Sequence, residues 1–293
     1  MAPLDVTGLL RRFRLVEHPR RLERLARWSG GLWLALDRRH RDIAQSNLRL
    51  ALGCSPREAR ALAKANFTHL ARVALETACL PRFTRDNYRE RLEAQGFHHV
   101  EESLLQGKGA FLLTGHLGNW EWMARCGPFF LPAPLNVIVR PLDPPWLNEI
   151  VQRFREGSGN RIIHRRSSAR AMLKALKRNE LVGVLFDHNA KRSMAIDAPF
   201  FGGMVPTNRG IAWMAIKTGA PVHFAYSWRH PSGRLRVVAH PPFPVPEKGS
   251  LEERVHEMTA AFNRSLEAQI RRDPTQWFWV YRRFRKYRDG NQR

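Results

Sequence analysis

The sequence predicts an α/β fold: a mostly parallel central sheet with helices on both faces, plus a helical N-terminal extension. Beyond about Gly96, short apolar runs alternate with amphipathic segments, the pattern of strands laid side by side through crossover helices. The run Ala110 to Thr114 is almost wholly apolar, as a strand buried on both faces must be, and so is the run that precedes Asp187. The turn residues His230-Pro-Ser-Gly233 join the last two apolar runs as a hairpin, giving the sheet an antiparallel edge.

In chain order, residues 1–50 read as helical and very basic. Leu22, Leu25, Ser29, Leu32, Trp33 and Leu36 recur at helical spacing, with Arg20, Arg21, Arg24 and Arg27 before the apolar end and Arg38, Arg39 and Arg41 after it. Tryptophan and leucine flanked by arginine suit a helix lying in a membrane interface; a packed helix with a solvated basic face explains them equally well. Ser55-Pro-Arg-Glu58 is a capping box with proline at the first helical position, and the helix behind it runs to about Leu80, where Pro81 ends it. Glu76 lies beside that helix's apolar stripe, where a rim position is expected and an inward-facing polar partner is the other reading. Strands are predicted near 109–114, 135–140, 161–164, 181–187, 221–228 and 234–240, and helices near 119–127, 145–157, 167–178 and 208–218. A final helix starts at the capping box Ser250-Leu-Glu-Glu253. With no internal repeat or low-complexity linker, the economical division is a basic helical region at 1–40 and a single domain at 41–293.

The charge is unusual: 49 Lys+Arg against 26 Asp+Glu, a formal +23. Such an excess implies a polyanionic neighbour, whether an anionic membrane surface, nucleic acid or an acidic protein. Cys54, Cys79 and Cys126 are odd in number and widely spaced, which argues against both a disulfide framework and a structural metal. No signal-peptide pattern opens the chain, and the segment Trp28–Leu36 is about nine residues against the roughly 20 needed to span a bilayer, so no membrane crossing is expected.

The stretch Leu113-Thr-Gly-His-Leu-Gly-Asn-Trp-Glu121 is the leading candidate for chemistry. Gly115 breaks the strand, His116 sits at its exit, and Asn119 can cap a helix whose first turn holds Glu121. A strand end and a helix start joined so closely can bring an imidazole and a carboxylate together, a base with an orienting partner. Asp187, at the end of another apolar run, is a second site candidate, with capping of the next turn as its other reading. The Phe200-Phe201-Gly202-Gly203 loop suits an acyl chain or plain packing.

Gly-His-Leu-Gly-Asn-Trp-Glu, containing His116-x4-Glu121, resembles the His-x4-Glu motif of the bacterial lipid A late acyltransferases, of the lauroyl/myristoyl type within the lysophospholipid acyltransferase superfamily. Arg41-Asp-Ile-Ala-Gln-Ser-Asn-Leu-Arg-Leu-Ala, Pro199-Phe-Phe-Gly202, Gly219-Ala-Pro-Val222 and Trp277-Phe-Trp-Val-Tyr-Arg-Arg-Phe284 resemble other blocks of that family, in their usual order. The likeness spans roughly residues 35–288. It implies a membrane-associated enzyme moving an acyl group from an acyl carrier protein or coenzyme A thioester to a hydroxyl of a glycolipid or lysolipid, with no further cofactor and no metal. The expected seat is peripheral, on the cytoplasmic side of the inner membrane, with no nucleic-acid partner. His116 is then the general base, Glu121 the group that holds its other ring nitrogen, Arg155 (or its neighbour Arg153) the oxyanion donor, and Asp187 a positioning acid. Cys126 belongs to helix packing, since no acyl-enzyme is required. Two departures stand out: the N-terminal apolar segment is short, and Tyr281 stands where the family usually has histidine. A basic nucleic-acid-binding protein, or a thioesterase or hydrolase using the same dyad with water, are the competing classes.

Overall fold

β2 (Ala110–Thr114) is buried at every residue because its side chains feed two different cores. Phe111 and Leu113 enter one cluster and Ala110 and Leu112 the other, so both faces of the sheet are covered, as predicted. Each large apolar side chain so enclosed contributes about 1.5–3 kcal/mol relative to exposure. The computed structural model describes residues 18–139, 149, 152, 155–164, 168–285 and 288–289.

Around β2 the chain builds a seven-stranded sheet in the order β1-β9-β8-β2-β5-β3-β4. Its other members are β1 (Leu92–Gln95), β3 (Leu135–Val139), β4 (Arg161–His164), β5 (Leu181–Leu185), β8 (Val222–Arg229) and β9 (Leu235–Ala239). β8, β2, β5, β3 and β4 run parallel, and β8 with β9 forms the predicted antiparallel hairpin. β1 pairs parallel to β9 and closes that edge, a strand the sequence pattern conceals because only Leu92 of its four residues is buried.

A second sheet of β6 (Ala195–Phe200), β7 (Gly203–Asn208) and β10 (Arg288–Asp289) was also not foreseen, its strands carrying Pro199 and Pro206 rather than an apolar alternation. At its β6–β7 turn Phe200 and Phe201 are buried, so the packing reading of that loop holds. Phe201 takes φ 51° there, held by a 2.6 Å bond from its backbone N–H to Glu267 Oε2.

Among the described residues, three α-helices precede the sheet. α1 (Pro19–Leu36) and α2 (Arg38–Leu52) pack with α3 (Pro56–Thr77), whose start is the predicted capping box. α1 approaches α3 so closely that a Cβ at Gly30 would lie 2.7 Å from the Phe67 carbonyl oxygen. Leu22, Ala26 and Gly30 face inward, while Trp28, Leu32 and Leu36 of the same helix point to solvent, at 67%, 44% and 74% exposure. Among the described residues, the remaining α-helices are α4 (His98–Leu104), α5 (Trp120–Phe130), α6 (Ser168–Lys177), α7 (Gly210–Thr218) and α8 (Leu251–Arg272). Of the helix predicted near 145–157, residues 149, 152, 155 and 156 have helical backbone. Among the described residues, no helix is long and apolar enough to cross a membrane.

α3 carries Asn66, His69 and Glu76 within its buried face; Asn66 and His69 hold irregular backbone, and Glu76 holds polar side chains. Asn66 Nδ2 donates to the Thr275 and Trp277 carbonyls at 2.8 and 2.6 Å. Asn47 of α2 does the same for Trp279 and Tyr281 at 2.7 and 2.8 Å. The segment 274–285 is thereby strapped across the helices and toward the ends of β2 and β5.

Candidate active site

β2 and β5 are adjacent and parallel, with Thr114 opposite Leu185. Two residues past that pair, at the carboxyl ends where α/β sheets collect ligands, stand His116 and Asp187. His116 Nδ1 lies 2.7 Å from Asp187 Oδ1, and the His116 backbone N–H donates to Oδ2 at 2.8 Å. Trp277 Nε1, brought in by the strap, donates to Oδ2 at 2.9 Å. A carboxylate only accepts, so Nδ1 carries the proton and Nε2 is left as the basic nitrogen.

Asp187 is 1% exposed. Burial opposes its ionisation, but the His116 imidazole, its hydrogen bonds and the charge of His188 more than offset this and hold the carboxyl below the usual carboxylate range. A permanently ionised acid behind a partly exposed imidazole is the arrangement that stabilises an imidazolium during proton transfer.

The hydrogen bond to His116 Nδ1, expected from Glu121, is made by Asp187. Glu121 instead accepts two hydrogen bonds from Arg155, from Nη2 at 2.6 Å and Nε at 3.2 Å. Local spacing suggested the nearer carboxylate, but strand adjacency brings in one 71 residues away. Glu121 follows the N-cap Asn119 and the first helical residue Trp120, at the positive end of α5's dipole. Asn160 Nδ2 holds the other side of this pair, donating to the Ala124 and Arg155 carbonyls at 2.8 and 3.1 Å. Arg155 is thus built into the structure beside Glu121, while Arg153 lies outside the described residues.

The loop joining β2 to α5 is fixed at several points. The Gly118 N–H donates to the Gln276 carbonyl at 3.0 Å, and Leu117 bridges to Trp277. Gly118 has φ 63°, and a Cβ there would meet the Ser227 carbonyl oxygen at 2.1 Å. His69 Nε2 donates to the Gly118 carbonyl at 3.0 Å; burial, with Arg229 nearby, pushes this imidazole down to about 3, so it stays a neutral donor. Glu76 is 1% exposed and faces inward, a correction of the expected rim position. The polar residues interrupting α3's apolar stripe were the sequence signal for this role.

Aromatic rings frame the imidazole. His188 stacks on His116 at 4.4 Å between centroids, and Tyr281 stacks on His188 at 4.1 Å. Trp120 and Phe278 stand 5.0 and 5.5 Å from the His116 ring. Tyr281 also accepts from the Asn189 N–H at 3.2 Å, which gives the residue a structural place the sequence did not suggest. His116, Asp187 and His188 are the one group among the described residues with possible metal-ligating atoms within 4.8 Å of one another. Both Asp187 oxygens, however, already serve His116 and Trp277. Cys126 is buried in α5, its thiol pushed up to about 12 by burial, in keeping with a packing role.

The profile of the bacterial lipid A biosynthesis acyltransferase family matches residues 6–286. The chain is 27% identical over 265 residues to the lipid A biosynthesis lauroyltransferase of Escherichia coli K12, covering 89% of this chain and 84% of that one. To the palmitoleoyltransferase of the same organism it is 24% identical, covering 85% and 79%. To a phosphatidylinositol mannoside acyltransferase of Mycolicibacterium smegmatis it is 25% identical, covering 74% and 70%.

Proposed function

Because the chain belongs to the bacterial lipid A biosynthesis acyltransferase family, and is an acyltransferase, we propose that it esterifies a hydroxyl of a glycolipid or lysolipid from an acyl thioester, with His116 and Asp187 as its base pair. The observation that carries this is the 2.7 Å bond between His116 Nδ1 and the buried Asp187 carboxylate. His116 Nε2 takes the hydroxyl proton as the oxygen attacks the thioester carbonyl, and Asp187 stabilises the imidazolium. The tetrahedral oxyanion collapses, the carbon–sulfur bond breaks, and the imidazolium returns its proton to the departing thiolate. Arg155 is the donor for that oxyanion. Its bidentate pair with Glu121 uses Nε and Nη2 and fixes the guanidinium plane, and Nη1 is the nitrogen outside the pair.

The acceptor is presented at an anionic membrane surface, with the enzyme attached peripherally on the cytoplasmic face of the inner membrane. The outward ridge of α1 supports this. Trp28, Leu32 and Leu36 form an exposed apolar island between Arg20, Arg21, Arg24 and Arg27 on one side and Arg38 and Arg39 on the other. Immersing such side chains yields on the order of a few kcal/mol, and each arginine near anionic headgroups adds about 1 kcal/mol.

The test is purified enzyme with an acyl carrier protein thioester or acyl-coenzyme A, in separate arms, and acceptor glycolipid in vesicles. Mass spectrometry is expected to show an ester-linked acyl chain added to the lipid. Release of free fatty acid alone, whatever the acceptor, would make the protein a thioesterase. In a flotation assay with anionic vesicles, the triple substitution Trp28→Ser, Leu32→Ser, Leu36→Ser is expected to abolish co-migration while turnover on acceptor in detergent micelles persists. Undiminished flotation would remove α1 as the docking element.

A further inference from the structure

We propose that Glu76 is a positioning residue for acyl transfer: from inside α3 its carboxylate grips Asn119 and so fixes the loop that carries His116 and the first turn of α5. The inference rests on His116 being the base.

Asn119 is fully buried and has two tasks. Its Oδ1 accepts from the Trp122 N–H at 3.0 Å and caps α5, which leaves Nδ2 to find an acceptor. Glu76 Oε2 supplies it at 2.8 Å. The Glu76 backbone carbonyl takes a second bond from α5's first turn, from Trp122 Nε1 at 3.2 Å. One residue of α3 therefore holds both the cap, three residues after His116, and the first turn of the helix that bears Glu121.

The carboxylate is itself held rigidly. Arg72, one turn earlier on α3, donates Nε to Glu76 Oε1 at 3.0 Å, and Arg229, at the end of β8, donates Nη2 to Oε2. Arg72 Nη1 extends the cluster to Glu23 of α1 at 2.9 Å. Glu23, Arg72, Glu76 and Arg229 together carry no net charge. A buried ionic cluster is a poor way to gain stability, because desolvation consumes much of the attraction and apolar packing would serve as well. What it supplies that packing does not is a directional acceptor at one fixed point, placed where the loop leaves β2 and becomes α5. Loop misplacement of about 1 Å is enough to cost 10²-fold in rate.

The test exchanges the polarity of the Glu76–Asn119 hydrogen bond. Glu76→Gln weakens the hold on the arginines and turns an amide toward an amide; Asn119→Asp keeps the cap but sets carboxylate against carboxylate. Each is expected to lower kcat by about 10²-fold with KM near wild type. Combined, Glu76→Gln and Asn119→Asp restore both the net charge and a donor–acceptor pair, the amide now on α3 donating to a carboxylate at the helix cap. The double variant is expected to recover about tenfold or more over the worse single. Asn119→Ser, which still caps but does not reach Glu76, covers the case in which Glu76→Gln or the double fails to fold; it is expected to lose turnover while keeping the wild-type melting temperature. Wild-type kcat in Asn119→Ser or in both single variants overturns the proposal. So does a double variant that regains melting temperature but not turnover. A wild type with no acyl transfer at all fails the functional reading instead, so the two failures are distinguishable.

Discussion

Asp187→Asn is expected to lower kcat by about 10³- to 10⁴-fold, the scale seen when the carboxylate of a base pair becomes an amide. The substitution is isosteric, so the cost is chemical. An amide whose NH₂ faces His116 Nδ1 needs an acceptor there, which moves the ring proton to Nε2, the nitrogen that has to take the proton from the acceptor hydroxyl. An amide turned the other way keeps the tautomer but supplies no negative charge to the imidazolium. Turnover under saturating thioester, measured beside the melting temperature, checks it; kcat within tenfold of wild type with the fold intact sinks the pair. The pH profile adds a second reading. The folded Asp187 carboxyl titrates below the ordinary carboxylate range, so its contribution to stability is present above the unfolded pKa and is lost only as pH falls through the lower folded value. Between pH 5 and 8 Asp187 stays ionised, and no change of turnover in that window originates in its titration.

Arg155→Ala is the second large effect, an expected loss of about 10²- to 10³-fold in kcat with KM little changed, the cost of removing one preorganised oxyanion donor. A raised KM with kcat intact would instead make Arg155 a headgroup or donor ligand. Glu121→Gln keeps one acceptor for Arg155 and loses the bidentate charged pair, so a smaller loss is expected. Because both residues act through the same guanidinium, Glu121→Gln added to Arg155→Ala should cost almost nothing more. Full additivity would mean that Glu121 acts elsewhere. Inactivation by Glu121→Gln as complete as that by Asp187→Asn would return Glu121 to the imidazole, against the geometry.

Much of this site was legible in the sequence. The strand before His116, the helix start at Asn119 and the apolar run before Asp187 are local patterns, and each stands where the sequence placed it. The pairing of His116 with Asp187 was not local: it depends on β5 lying beside β2 in register, information that no spacing within Leu113–Glu121 contains. The sequence marks Trp277 as part of a block but not as a donor to Asp187, since that follows from where the strap crosses the sheet end. The inward role of Glu76 is not legible, because a carboxylate next to an apolar stripe looks the same in sequence whether or not two arginines hold it inside. β1 and the β6–β7 pair escaped for a different reason: short or proline-bearing strands carry little hydrophobic alternation, and their neighbours rather than their residues define them.

The strap at 274–285 has a consequence for the order in which the enzyme comes to life. Trp277, whose indole holds Asp187, is translated 90 residues after that acid, and Gln276, which takes the Gly118 N–H, emerges just before it. A nascent chain that has already released β2 and β5 from the ribosome therefore has both members of the base pair without the indole and backbone clasp that finish their alignment. Competence arrives only once residues 274–285 have been made and α1, α2 and α3 have folded, so that Asn47 and Asn66 can receive the strap. A chain cut short before that point is left with the base and its acid but without their final alignment.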